Sequence, residues 1–468
     1  MCGVEPYPGF ESLTLRQTND REPPSGAAHV RLRPACRSTG RCPFVSLPAI
    51  AQRRADGSPV SGYDGHMKTH RLAIIFAIML VNMLALGIVV PLLPYLADST
   101  GATEFQTGLL VAAYPLSQLL GAPLLGRLSD RYGRKPVLMA SVFGTAVGFV
   151  ILALAGSLPV LFLGRIVDGL TGGNINVAQA YITDVTDRTE RGRALGLIGA
   201  AFGLGFVIGP VTGGLLAEIS YATPAWLGAG LALLNMAAVA LFLPESLTAE
   251  ARAKRAHKKR AIFDISGFRA ALAHPRVRPV LTVRTATGVS FAIFETMFSL
   301  WALTTLGFKP GQTGVFLGFL GLSSALIQGG LIGRLTKHFS DDALLMTAIL
   351  VSGVCLAAWG FVRNVPLLLA IIPPLAFGLA VGQTMMTSIL SKSVAREEVG
   401  SMLGVQTSIM SLTRVIAPII GGFLLENTTP WAPGLLAGVL TLSVAPFAWK
   451  SLCLLPGRGS CEAVFDEE

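Results

Sequence analysis

The sequence predicts an all-α polytopic membrane protein, with twelve transmembrane helices in two pseudo-symmetric six-helix bundles. Three observations carry that prediction. Hydrophobic residues make up 52% of the 468 residues and charged residues only 14%, against about a quarter in an ordinary soluble domain. From Arg71 onward, apolar runs with few charges, long enough to cross a bilayer as helices, alternate with short charged turns. The second half of the chain also repeats the first.

The apolar runs lie at 73–95, 106–126, 137–156, 160–182, 194–217 and 224–243, then at 280–305, 312–333, 343–362, 366–390, 401–425 and 431–453. The turns after the second, fourth, eighth and tenth runs collect Arg127, Arg131, Arg134, Lys135, Arg188, Arg191, Arg193, Arg334, Lys337, Lys392 and Arg396. The turns after the odd-numbered runs hold only Lys309 and Arg363. Basic loops stay in the cytoplasm, so the even-numbered turns and both termini are expected there, with the chain in the cell membrane. The net charge of +10 is read the same way, as topogenic charge, and no nucleic-acid partner is expected.

Gly126-Arg127-Leu128 recurs at Gly333-Arg334-Leu335, an offset of 207, and Leu138-Met139 recurs at Leu345-Met346. At an offset of 208, Gly196, Pro210, Gly213, Gly214 and Glu218 recur as Gly404, Pro418, Gly421, Gly422 and Glu426. Two such halves imply a cavity between them at the bilayer midplane. The expected organisation is a bundle over 67–245, a basic linker over 246–278, a second bundle over 279–455 and a tail over 456–468. Residues 1–66, rich in Pro, Arg, Ser and Gly with no structural period, read as a disordered tail or as a start called too early, with Met67 the true beginning. The six cysteines show no metal-ligand spacing; no metal, cofactor or disulfide framework is expected, and the chain is expected to be a monomer.

Ionisable groups at bilayer depth are functional candidates, because burying an unpaired charge is expensive. Four stand out within the runs: Arg165, Asp168, Glu295 and Arg414. At 100° per residue, Arg165, Asp168, Gly172, Asn176 and Gln179 fall on one face of the fourth helix, a polar stripe expected to line the cavity. Asp168 is one turn from Arg165 and reads as its ion-pair partner or as a proton site. Glu295 sits among aromatic and aliphatic neighbours, where desolvation penalises the charged form, as a proton carrier requires; the other reading makes it a fixed counter-ion of Arg414 or Arg165. Phe291, Phe294, Phe298 and Trp301 suit a flat ligand or simple packing.

The stretch "GRLSDRYGRKP" packs Gly126, Asp130, Arg131, Gly133, Arg134 and Lys135 into one turn, and Gly126 and Gly133 are expected where the backbone bends or is approached closely. Together with "GFVIGPVTGG", which contains Gly205, Gly209, Pro210, Gly213 and Gly214, and with "LGRIVDGLTGG" around Arg165, it resembles the major facilitator superfamily over Arg71–Leu455. The resemblance is to twelve-helix drug/proton antiporters of the tetracycline and multidrug type.

It implies proton-coupled efflux of small lipophilic or cationic compounds by alternating access, with Asp130 latching onto the start of helix 11 near Gly400; the plain alternative is that the charged turn only sets topology. The second-half copy keeps Lys337 and otherwise departs, so its latch reads as degraded. The fifth-helix glycines serve packing or, with Pro210, a hinge. Tetracycline exporters carry an acid in the first helix where this chain has Asn82, so coupling must lie elsewhere. Two other classes compete: a facilitator or symporter importing a sugar or organic acid, suggested by "LPES" at Leu243–Ser246, and a membrane sensor. An enzyme is not expected, since no P-loop or catalytic triad is found.

Overall fold

Many of the helix boundaries fall where the sequence supplies a cap, a proline or a glycine. The computed structural model describes residues 63–186, 191–248, 277–394 and 399–453, with 250, 252, 269 and 271–275. Helix α1 (Tyr63–Val89) passes Pro91 in a 3₁₀ turn, Val90–Leu92, and resumes as Leu93–Ser99. Helix α2 (Glu104–Tyr132) starts on a capping box: the Thr103 hydroxyl accepts from Gln106 N at 3.3 Å, and Gln106 Oε1 accepts from Thr103 N at 3.0 Å. Then follow α3 (Arg134–Ala153), α4 in two pieces (Leu158–Thr171 and Asn174–Val185), α5 (Arg191–Ala217) and α6 (Thr223–Phe242). In the second half come α7 (Val277–Leu306) and α8 (Pro310–Leu326, continued by Ile327–Leu331 and Ile332–His338). They are followed by α9 (Asp341–Gly360), α10 (Val365–Lys392), α11 (Val399–Asn427) and α12 (Ala432–Ser443, continued to Cys453).

Eleven of these are single helical spans long and apolar enough to cross a membrane among the described residues. The twelfth, α4, is broken at Gly172–Gly173, and neither piece spans alone. The expected charged turn after the second run is mostly helix: α2 continues to Tyr132, and Gly133, at φ 112°, is the whole turn. Gly126 is helical, and nothing comes within 4 Å of where its Cβ would stand, so the expectation of a bend or close contact there is corrected. Residues 1–62, 187–190, most of 249–276, 395–398 and 454–468 lie outside the described residues, and with them nearly all of the segment expected over 1–66, the bulk of the expected linker and the tail expected over 456–468.

Each half builds its own apolar core. Two clusters draw on residues between Ile75 and Leu243, and two on residues between Ala271 and Ala448. Phe294, Phe298 and Trp301 belong to the second half's core. Their rings pack with Trp359 at centroid distances of 5.0 to 6.4 Å, and all four are buried. These aromatics form packing rather than a ligand surface.

The halves meet along two seams related by the repeat. In the first, Gly214 and the Pro210 carbonyl of α5 lie against Pro310 and Gly314 of α8. In the second, Gly422 and the Pro418 carbonyl of α11 lie against Glu104 and Gly108 of α2. The adjacent glycines face inward within each half, Gly213 onto Ile88 of α1 and Gly421 onto Met297 of α7; Gly205 and Gly209 also pack on α1, at Met83 and Gly87. Small residues let these backbones touch, and α5 is continuous through Pro210.

Both seams lie at the charge-poor end of the bundle. There Tyr95 Oη donates to the Phe308 carbonyl at 3.1 Å and is 2.5 Å from Thr313 Oγ1, and Glu426 Oε2 accepts from Phe105 N at 2.9 Å. At the basic end Gly126, Gly196, Gly199, Gly203, Gly329, Gly330, Gly333 and Gly404 have nothing within 4 Å of a Cβ position. Among the described residues, the two halves touch at one end and stand clear of each other at the other.

A side chain at Gly314 meets the Pro210 carbonyl, a backbone atom that cannot yield without moving α5. Gly314→Val should cost about 1–3 kcal/mol through overpacking. Thermal unfolding in detergent should show a lowered midpoint, whereas the same change at Gly330, in open space, should not lower it comparably.

Candidate functional site

The break in α4 organises the first half of the site. A Cβ on Gly172 would meet Tyr114 Oη and Gln118 Nε2 of α2, and one on Gly173 would meet Leu125 and Ala122 of the same helix. Glycine at both places lets α2 approach the interrupted backbone. The carbonyls that lose their helical partners are taken up by side chains, as lipid requires: Gln118 Nε2 donates to Gly172 O at 2.6 Å, and the Ser141 hydroxyl donates to Thr171 O. Gln118 also donates to Tyr114 Oη at 3.0 Å. Beyond the break Asn174 Nδ2 donates to Asn82 Oδ1 of α1 at 2.6 Å. Asn82, which stands where the resemblance would call for an acid, therefore braces the break.

Arg165 and Asp168 stand just before the break. Their ion pair is 3.1 Å long, with both side chains only 2% exposed. The Arg165 guanidinium lies 4.5 Å from the centroid of the Tyr114 ring, and Gly148 of α3 backs onto Asp168. The break resets the helical phase, so the continuous stripe expected along α4 splits. Arg165, Asp168 and Gly172 are buried against α2 and α3, whereas Asn176 and Gln179 are exposed.

In the second half Arg414 Nη2 of α11 donates to Glu295 Oε1 of α7 at 3.1 Å. Glu295 is 11% exposed and Arg414 is 41% exposed. Glu295 Oε2 is buried without a hydrogen-bond partner, so the carboxylate keeps an acceptor in reserve. Arg414 is also within electrostatic reach of Tyr114 in the other half. The structure thus brings the four intramembrane charges together as two pairs, one in each half, and it pairs Glu295 with Arg414 rather than Arg165.

At the basic end, Arg134 is 5% exposed and fully engaged. It bonds Asp130 at 2.7 Å, Asp184 at the end of α4 at 3.1 Å and the Ser129 hydroxyl at 2.5 Å. Glu245 of "LPES" caps α3: its carboxylate accepts from the backbone N–H of Arg134 at 2.9 Å and of Lys135 at 3.1 Å, where helix N-termini favour negative charge. A Cβ on Gly133 would collide with that carboxylate. The Lys135 ammonium donates to the Ala240 carbonyl near the end of α6 at 2.7 Å, and the Arg131 guanidinium lies over its neighbour Tyr132 at 5.4 Å from the ring centroid.

In this conformation Asp130 is bonded to Arg134 within its own half, and the side chains at the start of α11, where the latch is expected, lie outside the described residues. The second half also carries a charge-swapped copy of the Arg134–Asp184 pair. At the repeat offsets of 207 and 208, Arg134 and Asp184 become Asp341 and Lys392, and Lys392 Nζ pairs with Asp341 Oδ2 at 2.8 Å.

Sequence reasoning missed Tyr114, Gln118, Asn174, Asp184, Glu245 and Arg284. The glycine pair in "DGLTGGN" signals the break. Arg284 sits near the start of its apolar run and reads as a boundary charge, but α7 begins at Val277 and carries it two turns inside, where it is 7% exposed.

A bundle of twelve crossing helices, duplicated and parted at one end around paired charges, defines a transporter of small molecules across membranes. The family model of the Major Facilitator Superfamily matches residues 75–362 and 329–456, and the chain belongs to that superfamily. It is 32% identical over 368 residues to solute carrier family 22 member 18 of Mus musculus, covering 77% of this chain and 90% of the relative. It is also 32% identical over 352 residues to the class C tetracycline resistance protein of Escherichia coli, covering 75% and 88%. The crystal structure of the human organic anion transporter MFSD10 (TETRAN) superposes with a TM-score of 0.61 at 22% identity, over 81% of this chain and 99% of that one. The nucleoside transporter NupG superposes at 0.68 with 14% identity, over 81% and 99%.

Removing one partner of a buried pair leaves the other charge uncompensated, at about 3–5 kcal/mol. Asp168→Asn should therefore destabilise the protein far more than Asp130→Asn, whose carboxylate is 31% exposed. Thermal unfolding of the two purified variants checks the order.

Proposed function

We propose that the protein exports small lipophilic compounds in exchange for protons, by alternating access between its two halves. The observation that carries the reading is Glu295, a mid-membrane carboxylate with one oxygen on a half-exposed arginine and the other buried and unpartnered. Such a group can take up a proton when its arginine turns elsewhere and give it back when the pair re-forms. The tetracycline resistance relatives support efflux and proton exchange, as does the glycine-rich fifth helix.

On this reading the charge-poor, sealed end faces outward and the basic, parted end faces the cytoplasm, where both termini lie. The chain works as a monomer in the plasma membrane, its bundles being 67–245 and 279–455. Asn176, Gln179 and Arg414 line the path, and Arg165–Asp168 keeps the broken helix in register. Asp130, Arg131, Arg134 and Lys135, with Gly126 and Gly133, form the cytoplasmic gate, and Gly205, Gly209, Pro210, Gly213 and Gly214 the helix 5 seam. Of the cargo classes the resemblance implies, the cationic one meets an interior in which Arg165, Arg284 and Arg414 outnumber Asp168 and Glu295. We propose the lipophilic one. Tetracycline is not the proposed cargo, because Asn82 stands where its exporters carry an acid.

The experiment is a compound-susceptibility panel in a host stripped of its own pumps, with substrate accumulation in everted vesicles. Wild type should protect, and accumulation should require a pH gradient. Glu295→Gln should abolish gradient-driven accumulation while leaving exchange of substrate for substrate. Accumulation without any gradient, or undiminished in the variant, contradicts the proposal.

A further inference from the structure

We infer that Arg284 and Gln406 form an anion subsite that holds an acidic group, a carboxylate or sulfonate, of the transported molecule. This rests on the transport reading above and narrows its cargo to lipophilic acids.

Helices α7 and α11 run in the same direction with a clear register. A Cβ on Gly288 would meet Met410 and Thr413, Glu295 pairs with Arg414, and Gly421 packs on Met297. One turn before Gly288 and Met410 stand Arg284 and Gln406, which the register places level with each other. Arg284 is 7% exposed and Gln406 is 8% exposed. Each carries a buried polar atom with no partner, Arg284 Nε and Gln406 Oε1. Two orphaned polar groups at the same level of one seam mark an unfilled polar site.

The charge count says what fills it. Arg165 is matched by Asp168 and Arg414 by Glu295, whereas no carboxylate among the described residues pairs with Arg284. The charged group that acts on it is Arg414, of the same sign. A guanidinium taken out of water without a counter-charge is strongly unfavourable. Its planar fork of donors matches the two oxygens of a carboxylate or sulfonate, and the Gln406 amide N–H can add a donor.

The site is also reachable. Two turns beyond Gln406 on α11, Arg414 is 41% exposed, and that opening is the route to the pair. Arg284 and Glu295 are three turns apart on α7, roughly 16 Å, so an acid held at the first and a proton held at the second occupy different places. Exchange of one for the other is then enforced by the movement of the halves and not by direct competition.

The test uses the full chain in nanodiscs and proteoliposomes, with a panel of aromatic and aliphatic carboxylates and sulfonates, each paired with its neutral amide and its ammonium isostere; 2-naphthoate, 2-naphthamide and 2-naphthylmethylammonium are one set. Acids should bind at least about tenfold more tightly than their isosteres. Arg284→Gln should weaken the acids on the order of thirtyfold without weakening the amides, and Arg284→Lys should restore part of the loss. Ligand-free Arg284→Gln should also melt no lower than wild type, since it removes an uncompensated buried charge; an arginine with a purely structural role would give a lower melting point.

Absence of charge selectivity across the panel, or acid affinity unchanged in Arg284→Gln, overturns the subsite. In that case, pH-driven movement of amides or ammonium probes in proteoliposomes would leave the transport reading intact. Tight acid binding with no movement of any probe would uphold the subsite and refute transport.

Discussion

Two seams in which backbone meets backbone, α5 on α8 and α2 on α11, govern the rest of this structure. Glycine makes them possible: with no side chain at Gly108, Gly214, Gly314 and Gly422, the helices approach to a distance that no larger residue permits. Contact that close at one end of long, stiff helices spreads the other ends apart, because each half keeps its own core. The same glycine-rich helices that touch at the charge-poor end stand clear at the basic end. The proposed alternating access requires these seams to serve as the pivot.

Between the two ends the halves hold charge at a depth where charge is costly, and they do so differently. The first half ties Arg165 to Asp168 beneath Tyr114, both sealed from solvent and placed beside a broken helix whose freed carbonyls Gln118 and Ser141 take up. That arrangement fixes geometry. The second half leaves Arg414 open and gives Glu295 a spare oxygen, and Arg284 has no counter-charge among the described residues. The first half supplies a closed wall and the second supplies groups with unused donors and acceptors.

Much of this was legible in the sequence, for a physical reason. Lipid demands continuous apolar helices with charge at their ends, and the twelve runs, the two-fold repeat and the clusters around Arg134 and Lys337 follow from that demand. Local phase failed where the backbone departs from ideal helix: Asn176 and Gln179 cannot be placed on the face of Arg165 once Gly172–Gly173 interrupt the count. Pairing is three-dimensional, so Glu295 offered two counter-ions on paper and has one, Arg414. Phe294, Phe298 and Trp301 read equally as ligand surface or core, and only the position of Trp359, from another helix, decides for core. The Arg134–Asp184 pair and its charge-swapped copy Asp341–Lys392 join residues about fifty positions apart, which no motif records.

The central claim is that the halves move as rigid bodies about the seams, so that closure at one end and opening at the other are a single event. Distances between spin labels test it most directly, with one pair on Ser99 and Thr428 at the sealed end and another on Gly126 and Gly404 at the parted end. Between conditions that shift the conformational equilibrium, such as low and high pH, the first distance should lengthen as the second shortens, in matched populations. Two distances that move independently, or lengthen together, would contradict the account.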